Sequence, residues 1–244
     1  MDGGPVTEAI VLAGGFGTRL RPVLGDLPKI LAPVRGVAFI HYVLQWLESH
    51  GVERVSACTG YLAEQVEAEL SHYRGPMSIT SLREETPLGT GGAIYGGLRK
   101  VKGESAFIVN GDTYFPADLA AFQAAARRLK TKLAVGLRRV EDTSRYGAVE
   151  LNEGLIARVH EKGRSGPGLV NAGLYLLPNE LWQSVPMPAV FSWELDFLQP
   201  LAPALGTAGV VLDAPFLDIG TPASYARAES ILPDLGPAAP QNQR

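Results

Sequence analysis

Short β-prone apolar runs alternate with stretches of helical periodicity through the first half of the chain, and this alternation restricts the fold more than any other feature. The first run, Ala9-Ile10-Val11-Leu12-Ala13, stops at a glycine cluster, as strands buried inside parallel sheets do. A helix is expected over 39–50, where Ile40, Val43, Leu44 and Leu47 share a face, Gln45, Glu48 and Ser49 take the other, and Gly51 is placed to end it. The same rhythm predicts strands at 52–58, 78–82 and 105–110 and helices at 62–73 and 92–100. An α/β fold follows, a sheet with helices on both faces. Later apolar runs at 133–138, 148–151, 155–160 and 173–177 are separated by turns and are read as a smaller mixed sheet, a lobe attached to one domain. No fixed-period repeat interrupts the pattern.

With 244 residues, 46% of them hydrophobic, the chain has ample material for a buried core. Its 22 basic and 25 acidic residues give a net charge of −3, unlike the basic footprint of proteins that bind phosphate backbones, so nucleic acid is not an expected partner. The single cysteine, Cys58, excludes an internal disulfide, and no thiol cluster suits structural zinc; a cytoplasmic location is expected. Residues 1–7 lack a basic start followed by an apolar run, so no signal peptide is indicated, and every apolar stretch is interrupted before about 18 residues, which excludes a membrane helix. The expected domain covers residues 6–232, followed by a disordered tail over 233–244 of Pro, Gly, Ala, Gln and Asn.

In open α/β sheets ligands sit beyond the carboxyl ends of the strands, so the loops there carry the chemistry. The loop after the first strand reads Leu12-Ala13-Gly14-Gly15-Phe16-Gly17-Thr18-Arg19-Leu20-Arg21-Pro22. Its glycines let backbone N–H groups approach an anion, and Arg19 and Arg21 add charge, although glycine after a strand is also common in turns of no function. It is not a Walker loop, which needs Gly-Lys-Ser/Thr, nor a dinucleotide fingerprint, which needs glycine where Leu20 stands. Lys29, stiffened by Pro28, could hold a reacting phosphate or be a solvated surface lysine. Glu84-Glu85-Thr86-Pro87-Leu88-Gly89-Thr90-Gly91-Gly92 places a carboxylate that could accept the N1–H and amino group of guanine, or merely favour a helix N-terminus. Asp112 and Asp218 each follow an apolar run and precede a turn; converging, they would form a hard oxygen site for magnesium, and singly each is an ordinary turn aspartate. No Gly-x-Ser-x-Gly elbow exists and the four histidines show no ligand spacing, which leaves displacement at phosphorus as the favoured chemistry.

Taken together, residues 12–20, Pro28-Lys29, Gly111-Asp112, Glu161-Lys162 and Asp218-Ile219-Gly220-Thr221 resemble, in order, the motifs of the sugar-phosphate nucleotidylyltransferases. The resemblance spans roughly 8–228. It implies a Rossmann-like three-layer α/β/α sandwich with a mixed, mainly parallel sheet and a small sugar-binding lobe. It implies that Leu12, Ala13, Gly14, Gly15, Gly17 and Thr18 bind the nucleotide with Glu84, Gly89 and Thr90, that Arg19, Lys29 and Lys162 act on the phosphates, and that Asp112 and Asp218 hold Mg2+. Tyr146, Gly147, Glu161 and Asn171 would line the sugar pocket, though Asn171-Ala172-Gly173 also reads as a turn and Trp193 as a core aromatic.

The acid at position 84, where thymidylyl and uridylyl members tend to place glutamine, resembles the guanylyl branch. So do residues 143–147, 168–175 and 191–197, in the form that acts on a heptose 1-phosphate. GTP and a sugar 1-phosphate are therefore the expected partners, and self-association is left open. Mannose 1-phosphate with GTP, N-acetylmuramate 1-phosphate with UTP, and a non-catalytic nucleotide-sugar sensor are the alternatives. Ile30 follows Lys29 where many members have proline, and the long C-terminal β-helix of some members is not expected.

Overall fold

The structure is a computed structural model that describes residues 4–235. The first strand, β1 (Glu8–Leu12), is apolar on both faces because it lies between two parallel neighbours, β2 (Arg54–Thr59) and β4 (Ser105–Asn110). Beyond β2 lies β3 (Ser78–Arg83), also parallel. On the other side the sheet continues through β5 (Ala134–Val140), β6 (Ala148–Asn152), β7 (Leu155–Val159), β8 (Gly168–Pro178) and β9 (Ala208–Val211). Among the described residues the spatial order is β3-β2-β1-β4-β8-β5-β9-β7-β6, nine strands in one sheet.

The smaller separate sheet expected over 133–177 is therefore corrected. The long strand β8 pairs antiparallel with β4 through 174–178 and with β5 along both halves, so it joins the two regions covalently and by hydrogen bonds. Its first half pairs instead with β6, Leu169 opposite Val149, so the distal strands curl back and nearly close on themselves. The lobe is this curl.

Side chains alternate across the sheet. Ala9 and Val11 of β1, with Phe107 and Val109 of β4, face a layer made by α1 (Phe39–Ser49), α2 (Ala63–Ser71) and α4 (Leu119–Arg128). Ile10 and Ile108 face the other layer, made by α3 (Gly89–Leu98) and the segment containing Trp193–Leu198. At roughly 1.5–3 kcal/mol for each fully buried large apolar side chain, these two layers are the main stabilising term. Helix α1 buries Phe39, Ile40, Val43, Leu44 and Leu47 and stops where expected: the Gly51 N–H donates to the Glu48 carbonyl at 3.0 Å, with Gly51 at φ +78°. Helix α4 begins at Asp118, whose carboxylate accepts from the Ala121 N–H at 2.9 Å.

At the opposite edge of the sheet from the strand ends, Glu8 is buried and accepts from the N–H groups of Lys102 (3.0 Å) and Gly103 (2.6 Å), with Arg54 3.2 Å away. Burial alone would raise its pKa, but the Arg54 and backbone hydrogen bonds outweigh that and hold it below the ordinary glutamate value. Arg35 donates to the carbonyl oxygens of Leu232 (3.0 Å) and Pro233 (3.2 Å), and Leu235 packs on the core. Of the tail expected over 233–244, residues 236–244 lie outside the described residues, as do 1–3 of the N-terminal segment. Among the described residues no helix is long and apolar enough to cross a membrane.

Candidate active site

Three parallel strands deliver their carboxyl ends to one place. The Ala13 N–H donates to the Cys58 carbonyl at 2.8 Å and the Gly111 N–H to the Leu12 carbonyl at 3.0 Å, so the loop after β1 is stitched to both neighbours. Position 111 has room for glycine only: a methyl group there would stand 2.6 Å from the Leu12 carbonyl oxygen. Gly17 sits in the left-handed region, φ +58°, turning the chain into the short helical segment Thr18–Leu20, and it packs against the Lys29 side chain.

These turns gather the charges. Lys29 and Asp112 form a part-buried ion pair, and the Thr113 hydroxyl donates to Asp112 Oδ1 at 3.2 Å. A two-stranded ribbon, Thr113–Tyr114 against Leu217–Asp218, sets Asp218 opposite Thr113, and the Ile219 N–H donates to the Asp112 carbonyl at 3.1 Å. Two aspartates separated by more than a hundred residues thus become neighbours across one ladder. Asp218 Oδ1 accepts from the Gly220 N–H at 2.7 Å, and Arg19 lies alongside, since a methyl on Gly220 would meet Arg19 Nη2 at 3.2 Å. Arg21, beside the loop, donates to the Tyr61 hydroxyl and lies over its ring.

Next to these charges is a cavity of about 290 Å³. Of the residues singled out in the sequence, Leu12, Ala13, Gly14, Gly15, Lys29, Glu84, Gly89, Thr90 and Asp112 line it. Gly17, Thr18, Arg19, Asp218, Tyr146, Gly147, Glu161, Lys162 and Asn171 do not. Its wall also includes Phe16, Ile30, Cys58, Pro87, Ala93 and Asn110, which sequence reasoning did not assign to it. Asn110 had a signal, its place just before Gly111-Asp112 at a strand end; Ala93 and Ile30 look like any core residue. Cys58 donates to the Ala93 carbonyl, and burial pushes its thiol up to about 12, so it is no nucleophile at neutral pH.

Glu84, also in the cavity wall, accepts from the Leu88 N–H at 3.0 Å, and burial raises its pKa above the ordinary glutamate value, the backbone bond acting against that. The hydroxyl of Thr90 accepts from the Trp193 N–H at 2.9 Å, tying the start of α3 to the outer layer. Trp193 is buried and stacks on Phe197 at 4.1 Å, a core aromatic and not a sugar platform.

The remaining candidates are on the lobe. Tyr146 is half-buried against Phe216, ring centroids 5.6 Å apart, and its pKa is raised first by burial, with Arg145 opposing and Asp218 adding to the rise. Gly147 abuts the His160 carbonyl. The Asn171 amide donates to the Tyr175 hydroxyl at 2.7 Å and accepts from the Gly173 N–H at 3.0 Å. Glu161 and Lys162 are exposed on the 160–167 loop, which the Gly163 N–H fastens to the Ser144 carbonyl at 3.1 Å.

Among the described residues no group of three or more His, Cys, Asp or Glu side chains could hold a metal ion. Asp112 and Asp218 alone suit a cation of the magnesium type, which takes one or two carboxylates and completes its shell with water and substrate phosphates.

The model of the nucleotidyl transferase family matches residues 8–234. The chain is 36% identical over 92% of its length to a D-glycero-alpha-D-manno-heptose 1-phosphate guanylyltransferase of Aneurinibacillus thermoaerophilus, covering 98% of that protein. It is 34% identical to the protein of that name from Campylobacter jejuni, over 89% of this chain and 96% of the other. Among solved structures, HddC from Yersinia pseudotuberculosis complexed with GMP-PN superposes with a TM-score of 0.82 at 32% identity, covering 92% of this chain and 99% of that one.

Proposed function

The chain belongs to the nucleotidyl transferase family, and from that membership we propose that it transfers the GMP moiety of GTP to a sugar 1-phosphate, D-glycero-α-D-manno-heptose 1-phosphate, releasing pyrophosphate. The observation that carries this reading is the convergence of the glycine loop, the Lys29–Asp112 pair and the Asp218 turn beside one cavity, which the first two line. The base reaches Glu84, whose carboxylate accepts the N1–H and amino group of guanine, while Leu12, Ala13, Gly14, Gly15, Gly17, Thr18, Gly89 and Thr90 hold the rest of the nucleotide. The acceptor's Tyr146, Gly147, Glu161 and Asn171 contacts come from the lobe, and Lys162 holds its phosphate.

A phosphate oxygen of the sugar ester attacks the α-phosphorus, forming one P–O bond as the bond to the β-phosphate breaks and its electron pair leaves with pyrophosphate. No general base is needed, because a phosphate monoester is already ionised near neutral pH. The work left to the protein is alignment and charge neutralisation, supplied by Arg19 and Lys29 at the triphosphate. Asp112 and Asp218 would hold Mg2+, which, when bound, screens the charge on the phosphate oxygens. Lys29 must then exchange its contact with Asp112 for one with phosphate. The reading places the enzyme in the cytoplasm, where its soluble substrates are made.

The test is pyrophosphate release across a grid of GTP, UTP and dTTP against heptose, mannose and N-acetylmuramate 1-phosphates. Turnover highest with GTP and the heptose ester is expected. Activity with UTP and none with GTP would overturn the base assignment, and a preference for mannose 1-phosphate would overturn the sugar.

A further inference from the structure

Arg145 stands in the middle of the 143–147 turn, immediately before Tyr146 and Gly147, which are read as sugar contacts, yet no role in the reaction has fallen to it. The turn is firmly held. The Tyr146 N–H donates to the Thr143 carbonyl at 2.8 Å, the Thr143 N–H to the Gly166 carbonyl at 3.0 Å, and the Thr143 hydroxyl to the Arg164 carbonyl at 2.7 Å. These bonds fasten it to the loop that carries Glu161 and Lys162. From this anchored turn the exposed Arg145 side chain crosses toward the Asp218 turn. Its Nη2 lies 3.4 Å from Thr221 Oγ1, and its Cζ is 5.7 Å from the Tyr146 ring centroid.

The charge there is unbalanced. Thr221 Oγ1 also accepts from the Ser224 N–H at 3.2 Å and lies 2.9 Å from Ser224 Oγ, so its hydrogen bond from Arg145 is long, shared and to a neutral group. Among the described residues no carboxylate lies within ion-pair distance of Arg145. Arg19 flanks the same turn from the nucleotide loop, and Arg227 also acts on Tyr146. Two guanidinium groups and one aspartate thus act on the Tyr146 ring, with a third guanidinium, Arg19, on the Asp218 turn. A guanidinium pre-set against an aromatic ring, with one long hydrogen bond to Thr221 and, among the described residues, no carboxylate on its planar fork of donors, matches the paired oxygens of a phosphate.

We infer that Arg145 contacts the phosphate of the acceptor sugar 1-phosphate, gripping the oxygens that do not attack. The inference rests on the transferase reading above. The β- and γ-phosphates of the nucleotide offer the same chemistry, but the position favours the acceptor: Arg145 is carried by the lobe, whereas the nucleotide loop already has Arg19 and Lys29 beside it.

The experiment compares wild type, Arg145→Gln and Arg145→Lys in steady-state kinetics and in calorimetric titrations with D-glycero-α-D-manno-heptose 1-phosphate, mannose 1-phosphate, unphosphorylated heptose and GTP. In Arg145→Gln, KM and Kd for the heptose ester should rise about tenfold or more, with KM for GTP within about twofold of wild type and the thermal midpoint unchanged. Arg145→Lys should recover part of the loss, and the unphosphorylated sugar should not distinguish the proteins. An unchanged KM for the ester overturns the inference, as does a rise confined to GTP, which would assign the arginine to the triphosphate. A lowered midpoint with both constants raised would mark a structural arginine and overturn it too. A wild type that binds no sugar 1-phosphate overturns this inference and the transferase reading together; a wild type that turns over while Arg145→Gln matches it overturns this inference alone.

Discussion

Asp112 is engaged on three sides, by Lys29, by the Thr113 hydroxyl and, through its carbonyl, by Ile219. Asp112→Asn keeps the shape and the backbone bond but removes the negative charge that would hold a cation. Turnover is expected to fall about a hundredfold or more, with the thermal midpoint little changed; single-turnover rates and a melting curve check this. Glu84 makes a pH prediction. Burial raises its pKa, and only the ionised carboxylate accepts both guanine donors. KM for GTP should therefore climb as the pH falls, starting at a higher pH than an ordinary glutamate would produce, with the limiting rate less affected. Glu84→Gln should lose that pH dependence and about tenfold to a hundredfold in kcat/KM for GTP, the scale of a hydrogen bond to a charged group. Profiles of kcat/KM and kcat against pH for both proteins decide it. Both residues were legible as candidates only through the motifs around them, because taken singly one reads as an ordinary turn aspartate and the other as a carboxylate favouring a helix start. Phe16, Cys58 and Ala93 were not, since nothing in an apolar residue's identity tells a cavity wall from a core.

Elements differ in how plainly they were written. Helix α1 could be read because its apolar face recurs without interruption and Gly51 ends it. Helix α4 was missed. Its buried stripe of Leu119, Phe122, Gln123 and Ala126 is thin and partly polar, and its clearest signal is the Asp118 cap. Strand β8 was read only from Gly173, because Gly168, Asn171 and Gly173 break the apolar pattern in the half that crosses into the lobe. The start of β1 carries its own prediction. Glu8 has a depressed pKa, so its stabilisation is present at neutral pH and is lost as the pH falls through that lowered value. Glu8→Gln should cost about 1–3 kcal/mol at pH 7, and the difference should shrink toward pH 4; urea unfolding at both pH values measures it. The Trp193–Leu198 segment carries another. Trp193 Nε1 is buried without a hydrogen-bond partner among the described residues, so Trp193→Phe sheds an unsatisfied donor while giving up some packing. A change within about 1.5 kcal/mol is expected, against about 3–5 kcal/mol lost in Trp193→Ala, both read from chemical denaturation.

At the scale of the molecule, the alternation of strands and helices foretold layers on both faces, whereas the union of the lobe with the main sheet was hidden. Sequence neighbours within 133–177 pair with one another, and nothing local reveals that β8 also pairs with β4, more than sixty residues earlier. This continuity has a thermodynamic signature. Since β8 belongs to both regions, the lobe has no independent core to melt first, and calorimetry should record one transition with equal calorimetric and van't Hoff enthalpies. Two resolved peaks would show that the curl unfolds separately.

The curled strands have a further effect on how copies of this chain meet at high concentration. By turning back onto β8 they use up hydrogen-bonding groups that a flat sheet would present to a stranger, and among the described residues β3 is left as a border with no strand on its outer side. That border is only six residues long, and Arg83 at its end leans toward Glu64 and Glu67 of α2. Its shortness and terminal charge make it a poor template for adding a foreign strand, so resistance to aggregation is built into the same geometry that carries the lobe.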